Sequence, residues 1–107
     1  IAPGPETTTK VLHAAAAMLP AVKLEFPPAL IGRTTETSIQ SGLMFGGVAM
    51  VDGLNRQLTA ELGNDTRIIA TGGLASLFLP HFKTVEAVEP NLTLIGLQLI
   101  FERCAAT

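Results

Sequence analysis

The chain is 107 residues long, 48% hydrophobic and only 15% charged, with a formal net charge of −2, which allows one small domain. With no Lys/Arg cluster, no Trp and no Tyr it offers nucleic acid neither a basic footprint nor indole or phenol rings to stack on, and its single cysteine, Cys104, rules out an internal disulfide or a multi-cysteine zinc site. No apolar run reaches the roughly 18–20 residues of a membrane span, and no signal peptide is recognisable.

Ile1 and Ala2 read as the end of a strand, and Pro3-Gly4-Pro5 as a turn. An apolar opening without an initiator Met gives the expectation that the sequence starts inside a longer chain. The mean hydropathy of +0.43 is high for so small a domain and predicts apolar surface covered by a partner subunit or by further chain. A helix is expected from Glu6, with Thr7, Thr8 and Thr9 as capping hydroxyls. Val11, Leu12, Ala15, Met18 and Leu19 fall on one face, and Pro20 stops it. Val22-Lys23-Leu24-Glu25-Phe26 alternates with period two and predicts a strand, ended by Pro27-Pro28.

Ile31 to Thr35 is a loop into the longest helix, expected over about Thr35 to Leu62 and closed by Gly63-Asn64-Asp65. Gly42, Gly46, Ala49 and Gly53 make a small-residue stripe on it. An interior glycine costs about 1 kcal/mol relative to Ala, so the stripe predicts close approach, either by a sheet of the same subunit or by a second subunit. Arg67 to Thr71 predicts a strand, Leu74 to Phe82 a short helix broken near Pro80, and Val85 to Val88 another strand. The last helix runs from Leu92 or Thr93 to Arg103, with Leu94, Leu97, Ile100 and Phe101 as its apolar face. The resulting α-β-α-β-α-β-α order predicts an α/β layered domain with parallel pairings.

Chemistry-bearing residues are sparse. His13 and His81 have no metal-ligand partners at suitable spacing, so no metal site is expected. There is no nucleophile-elbow serine and no Walker-type loop. Asp52 and Asp65 read as solvated or capping residues, and Glu36, Glu61, Glu86, Glu89 and Glu102 form no local pair. Arg33, between Gly32 and a threonine-rich helix start, suits a phosphate or carboxylate and equally a bridge to a nearby Glu. Ile68-Ile69-Ala70-Thr71-Gly72-Gly73-Leu74-Ala75 is a strand running into a glycine turn and a helix. A nucleotide can approach such backbone closely and meet free N–H groups, although many α/β proteins turn on Gly-Gly for packing alone.

Five ordered blocks carry a resemblance: Ile1-Ala2-Pro3-Gly4; Leu19-Pro20; Ile31-Gly32-Arg33-Thr34-Thr35 with Ile39-Gln40-Ser41-Gly42; Thr71-Gly72-Gly73-Leu74-Ala75; and Leu92-Thr93-Leu94-Ile95-Gly96-Leu97 through Phe101-Glu102-Arg103. In this order they make the whole chain resemble the C-terminal half of type III pantothenate kinases, the Bvg accessory factor family. The resemblance implies an α/β, actin-like ATPase (ribonuclease H-like) domain of the acetate and sugar kinase/Hsc70/actin superfamily over residues 1–107, with an N-terminal domain before Ile1. It implies a cytoplasmic homodimer that transfers the ATP γ-phosphoryl group to pantothenate, with Mg2+ and a monovalent cation, K+ or NH4+. It implies ATP contacts at Thr71, Gly72, Gly73 and Leu74, and catalytic residues upstream, so that this stretch alone is inactive. Ala16 stands where the family has a pantothenate-contacting Thr, which implies weaker substrate binding, and Thr34 stands where the family often has Asn. A non-catalytic regulatory paralogue and a purely structural α/β domain remain the alternatives.

Overall fold

The computed structural model describes residues 1–16 and 18–106. In chain order these form α1 (Pro5–Ala15), α2 (Thr35–Leu62), β1 (Ile69–Ala70), α3 (Ala75–Phe78), a 3-10 turn (Leu79–His81), β2 (Ala87–Val88) and α4 (Leu92–Ala105). The class is α/β. The two strands pair in parallel, Ile69 opposite Ala87 and Ala70 opposite Val88, with α3 in the crossover between them.

α2 is the scaffold. At its start Thr34 and Thr37 form a capping box: the Thr37 N–H donates to Thr34 Oγ1 at 3.1 Å, and the Thr34 N–H to Thr37 Oγ1 at 3.0 Å. Gly32 lies so close below this first turn that a Cβ there would sit 2.5 Å from the Ser38 Cα and N. At the far end Gly63 takes φ +117° and its N–H closes on the Thr59 carbonyl at 2.9 Å. Between these ends Gln40, Ser41, Leu43, Met44 and Asp52 are buried.

The segment predicted as a strand, Val22 to Phe26, has no ladder. Its alternation is real, since Val22, Leu24 and Phe26 are half-buried while Lys23 and Glu25 are exposed. Its backbone is claimed by other partners. Gln40 Nε2 donates to the Lys23 carbonyl at 3.0 Å, the Glu25 N–H bends back to that same carbonyl at 3.0 Å, and the Ser41 hydroxyl donates to the Leu30 carbonyl. Phe26 then plugs the segment into the core. Its ring meets Phe45 and Phe78 edge-on at 5.3 and 5.4 Å and stacks on His81 at 3.6 Å.

Other expectations are corrected. Ile1 and Ala2 are not in a strand. α1 is capped by Gly4 with Pro5 in its first turn, and the threonines lie inside it; Thr8 Oγ1 donates back to the Gly4 carbonyl at 2.8 Å. The helix ends at Ala15 rather than at Pro20, because Ala16 turns extended, with φ −123° and ψ 95°. Beyond it His13 Nδ1–H donates to the Leu19 carbonyl at 2.8 Å. Its expected apolar face is not buried: Val11 and Met18 are exposed. The small-residue stripe meets no sheet either, because nothing lies within 4 Å of a Cβ built at Gly42, Gly46 or Gly53. The helix glycine that makes a close approach is Gly47, 3.4 Å from the Phe78 ring.

α4 buries none of its residues, and Leu94, Leu97, Ile100 and Phe101 are all exposed. A compact domain of this length has a radius of gyration of about 13 Å. Here it is 17.4 Å, so the apolar surplus of the composition lies on uncovered faces.

Candidate functional site

The site is built from the end of β1 outward. Ile69 and Ala70 pair with β2, and the ladder is extended by the Glu86 N–H to the Ile68 carbonyl at 2.9 Å and the Glu89 N–H to the Ala70 carbonyl at 2.8 Å. Thr71 leaves the strand exposed. Gly72 then takes φ +107°, a conformation that side chains strain against, and its carbonyl accepts the Ala75 N–H at 3.2 Å. Gly73 has open space around it. The helix that follows is shorter than expected: α3 has four residues before the 3-10 turn brought by Pro80, so it adds little helix dipole at the turn.

Thr71, Gly72, Gly73 and Leu74 lie together in one cleft of about 590 Å³, joined there by Ala75 and by Glu6 from the first turn of α1. The size falls within the roughly 300–1,000 Å³ range of small-molecule sites. Thr71, Leu74 and Ala75 also border a larger, mostly apolar groove of about 790 Å³ that runs between β1 and the Gly42–Gly46 face of α2. The glycine turn therefore stands between a cleft of mixed polarity and an apolar groove.

The other two predicted positions are elsewhere. Ala16 is half-buried just past α1, where its N–H closes on the Leu12 carbonyl at 3.0 Å. Arg33 is exposed ahead of α2, with its N–H donating to Thr37 Oγ1 at 3.1 Å. Neither lines the cleft or the groove. The ion pairs among the described residues are Lys23–Glu25 and Arg67–Glu86, so of the two alternatives for Arg33 the bridge to a nearby Glu is not formed. No group of three or more His, Cys, Asp or Glu converges among the described residues.

Asp52 plays a larger part than its sequence reading gave it. It is 3% exposed in the middle of α2. Its carboxylate accepts the Lys83 N–H at 3.0 Å, the Thr84 N–H at 3.1 Å and the Thr84 hydroxyl at 2.5 Å. Burial pushes its pKa upward, but the Thr84 hydroxyl, the Lys83 and Thr84 N–H groups and the Arg56 charge outweigh this and hold its carboxyl below the usual value. Asn55, one turn on, donates from Nδ2 to Thr84 Oγ1 at 3.0 Å. The pair fixes the strand leading to β2, and through β2 the height of β1 and its turn. Spacing along the chain carried no sign of this, because Asp52 and Thr84 are 32 residues apart. The same holds for Glu6, which only the fold brings into one cleft with Gly72 and Gly73.

A parallel strand pair that opens through a glycine turn onto a cleft defines an α/β protein whose cavity lies outside a strand's carboxyl end, where such sheets take their ligands. A family model described as type III pantothenate kinase matches residues 1–57. The chain belongs to the type III pantothenate kinase family. It is 42% identical over its whole length to the type III pantothenate kinase of Zymomonas mobilis, and covers 40% of that protein. Over 96% of its length it is 44% identical to the enzyme of that name from Moorella thermoacetica and 47% identical to that from Geobacter sulfurreducens, covering 41% and 40% of them. It thus spans about two fifths of the length of these relatives. The whole-length match to the Zymomonas protein takes in the glycine turn, which lies outside the family-model match.

Proposed function

We propose that this chain is the C-terminal part of a type III pantothenate kinase, an enzyme that phosphorylates pantothenate with ATP to give 4′-phosphopantothenate for coenzyme A synthesis. The observation that carries the reading is the glycine turn at the end of β1, set in a cleft, within a chain of this family. Thr71, Gly72, Gly73 and Leu74 take the adenosine side of ATP. The bare backbone at Gly72 and Gly73 lets the ligand approach closely, while Leu74 and Ala75 offer apolar surface to the base. The groups that move the phosphoryl group lie in the part of the relatives' length that this chain does not cover. Catalysis then rests on positioning and charge neutralisation.

The proposal extends to an actin-like ATPase fold, a cytoplasmic location and a homodimer. The exposed faces of α2 and α4 support burial against further chain or a second subunit. Ala16 stands at the pantothenate side, and Arg33 is available to a phosphate or carboxylate. Mg2+ and a monovalent cation, K+ or NH4+, enter through the family. No group of three or more His, Cys, Asp or Glu converges among the described residues. No helix among the described residues is long and apolar enough to cross a membrane.

Incubating the intact kinase with ATP and pantothenate, with mass-spectrometric detection of 4′-phosphopantothenate, tests the reading. Product formation supports it. ATP binding without product supports the regulatory paralogue instead.

A further inference from the structure

We infer that Glu6 is a specificity-determining residue of the glycine-turn cleft, its carboxylate accepting hydrogen bonds from the ribose hydroxyls of the bound nucleotide. The inference rests on the reading that a nucleotide occupies this cleft. Glu6 is the acidic residue among those lining it, and it comes from a different element, α1, to line the same cleft as Thr71, Gly72 and Gly73. It is exposed, and among the described residues no hydrogen bond or ion pair engages its side chain.

An ionised carboxylate only accepts hydrogen bonds. It repels a triphosphate, so the groups turned toward Glu6 must be donors. A vicinal ribose diol presents two hydroxyls that one carboxylate can accept together, the same chemistry by which an acidic residue reads a ribose in dinucleotide-binding domains. Leu74 and Ala75, which line the same cleft and also border the apolar groove, give it apolar surface that suits the base. The nucleotide is therefore oriented with its sugar edge on α1 and its phosphates pointing away from Glu6. Two other roles are distinguishable. A carboxylate in a first helical turn stabilises the helix through its dipole, which affects folding and not nucleotide choice. A divalent cation would need further oxygen ligands, and the described residues bring no acidic cluster here.

The test compares ATP with 2′-deoxy-ATP as substrates of the intact kinase, wild type against Glu6→Ala and Glu6→Gln, with Gly73→Val alongside. The wild type is expected to favour ATP by about tenfold in kcat/KM, the scale of one hydrogen bond to a charged group. Glu6→Ala is expected to bring that preference to about twofold or less through a higher KM for ATP with kcat little changed, and Glu6→Gln to fall between. An unchanged preference in Glu6→Ala overturns the inference, as does a wild type indifferent to the 2′-hydroxyl or a variant that alters only the Mg2+ requirement. If Gly73→Val abolishes ATP use while the Glu6 variants keep the preference, the Glu6 assignment alone fails. If Gly73→Val uses ATP normally, the nucleotide reading of the cleft fails with it.

Discussion

Asp52 and Thr84 are 32 residues apart in sequence and joined by two hydrogen bonds, from the Thr84 N–H and from its hydroxyl, to one carboxylate oxygen. This is where the long helix holds the strand pair. Replacing Asp52 by Asn leaves one acceptor oxygen for Thr84 and sets an NH2 donor against the Lys83 N–H in a buried place, and is expected to cost about 1–3 kcal/mol of stability by denaturant unfolding.

The same contact has a pH signature. The folded-state pKa of Asp52 lies below its ordinary 3.8, so the contribution is fully present above that ordinary value and is lost as pH falls through the folded one. Unfolding curves of wild type and Asp52→Asn should be well separated near neutrality and converge in acid below about pH 4. A gap that stays constant down to pH 2 would show that the carboxylate's charge is not what matters.

Gly32 is fixed by space. A Cβ there falls on the Ser38 backbone, which cannot move without opening the capping box of α2. Gly32→Ala is expected to destabilise by about 1–3 kcal/mol. Thermal melts of the variant read this directly.

The two glycines of the turn should behave differently. Gly72 holds φ +107°, and Gly72→Ala is expected to lower stability by about 1–3 kcal/mol through backbone strain. Gly73 has neither positive φ nor a close neighbour, so Gly73→Ala should melt near wild type. Equal losses at the two positions would contradict the turn geometry.

At the proposed substrate side, Ala16→Thr should tighten pantothenate binding in the intact kinase. A hydroxyl hydrogen bond contributes about 0.5–1.5 kcal/mol, or roughly two- to tenfold in Kd. Isothermal titration giving equal affinities would remove Ala16 from the proposed substrate site.

Local signals in the sequence hold where local forces decide. α2 spans Thr35–Leu62 as expected, because a threonine capping box opens it and Gly63 closes it. The glycine turn, the break near Pro80 and the parallel pair between Ile69–Ala70 and Ala87–Val88 also follow the sequence. Period-two alternation at Val22 to Phe26 misled, because it reports which side chains face inward and not whether the backbone finds a partner strand. The apolar stripe predicted for α1 likewise marks a face that stays unburied, with Val11 and Met18 exposed. The Phe26–His81 stack, the Asp52–Thr84 contact and the meeting of Glu6 with the glycine turn are products of tertiary folding, and no spacing within one segment announces them.

The measurement that bears most directly on the nucleotide site is an ATP titration of the intact kinase against its Gly73→Val variant. Gly73 has open space and an ordinary backbone, so the valine fills the cleft without straining the turn. Loss of ATP binding with an unchanged melting temperature is the predicted result. ATP binding as tight as wild type would contradict the placement of the nucleotide at Thr71 to Leu74 and leave the two glycines a packing role alone.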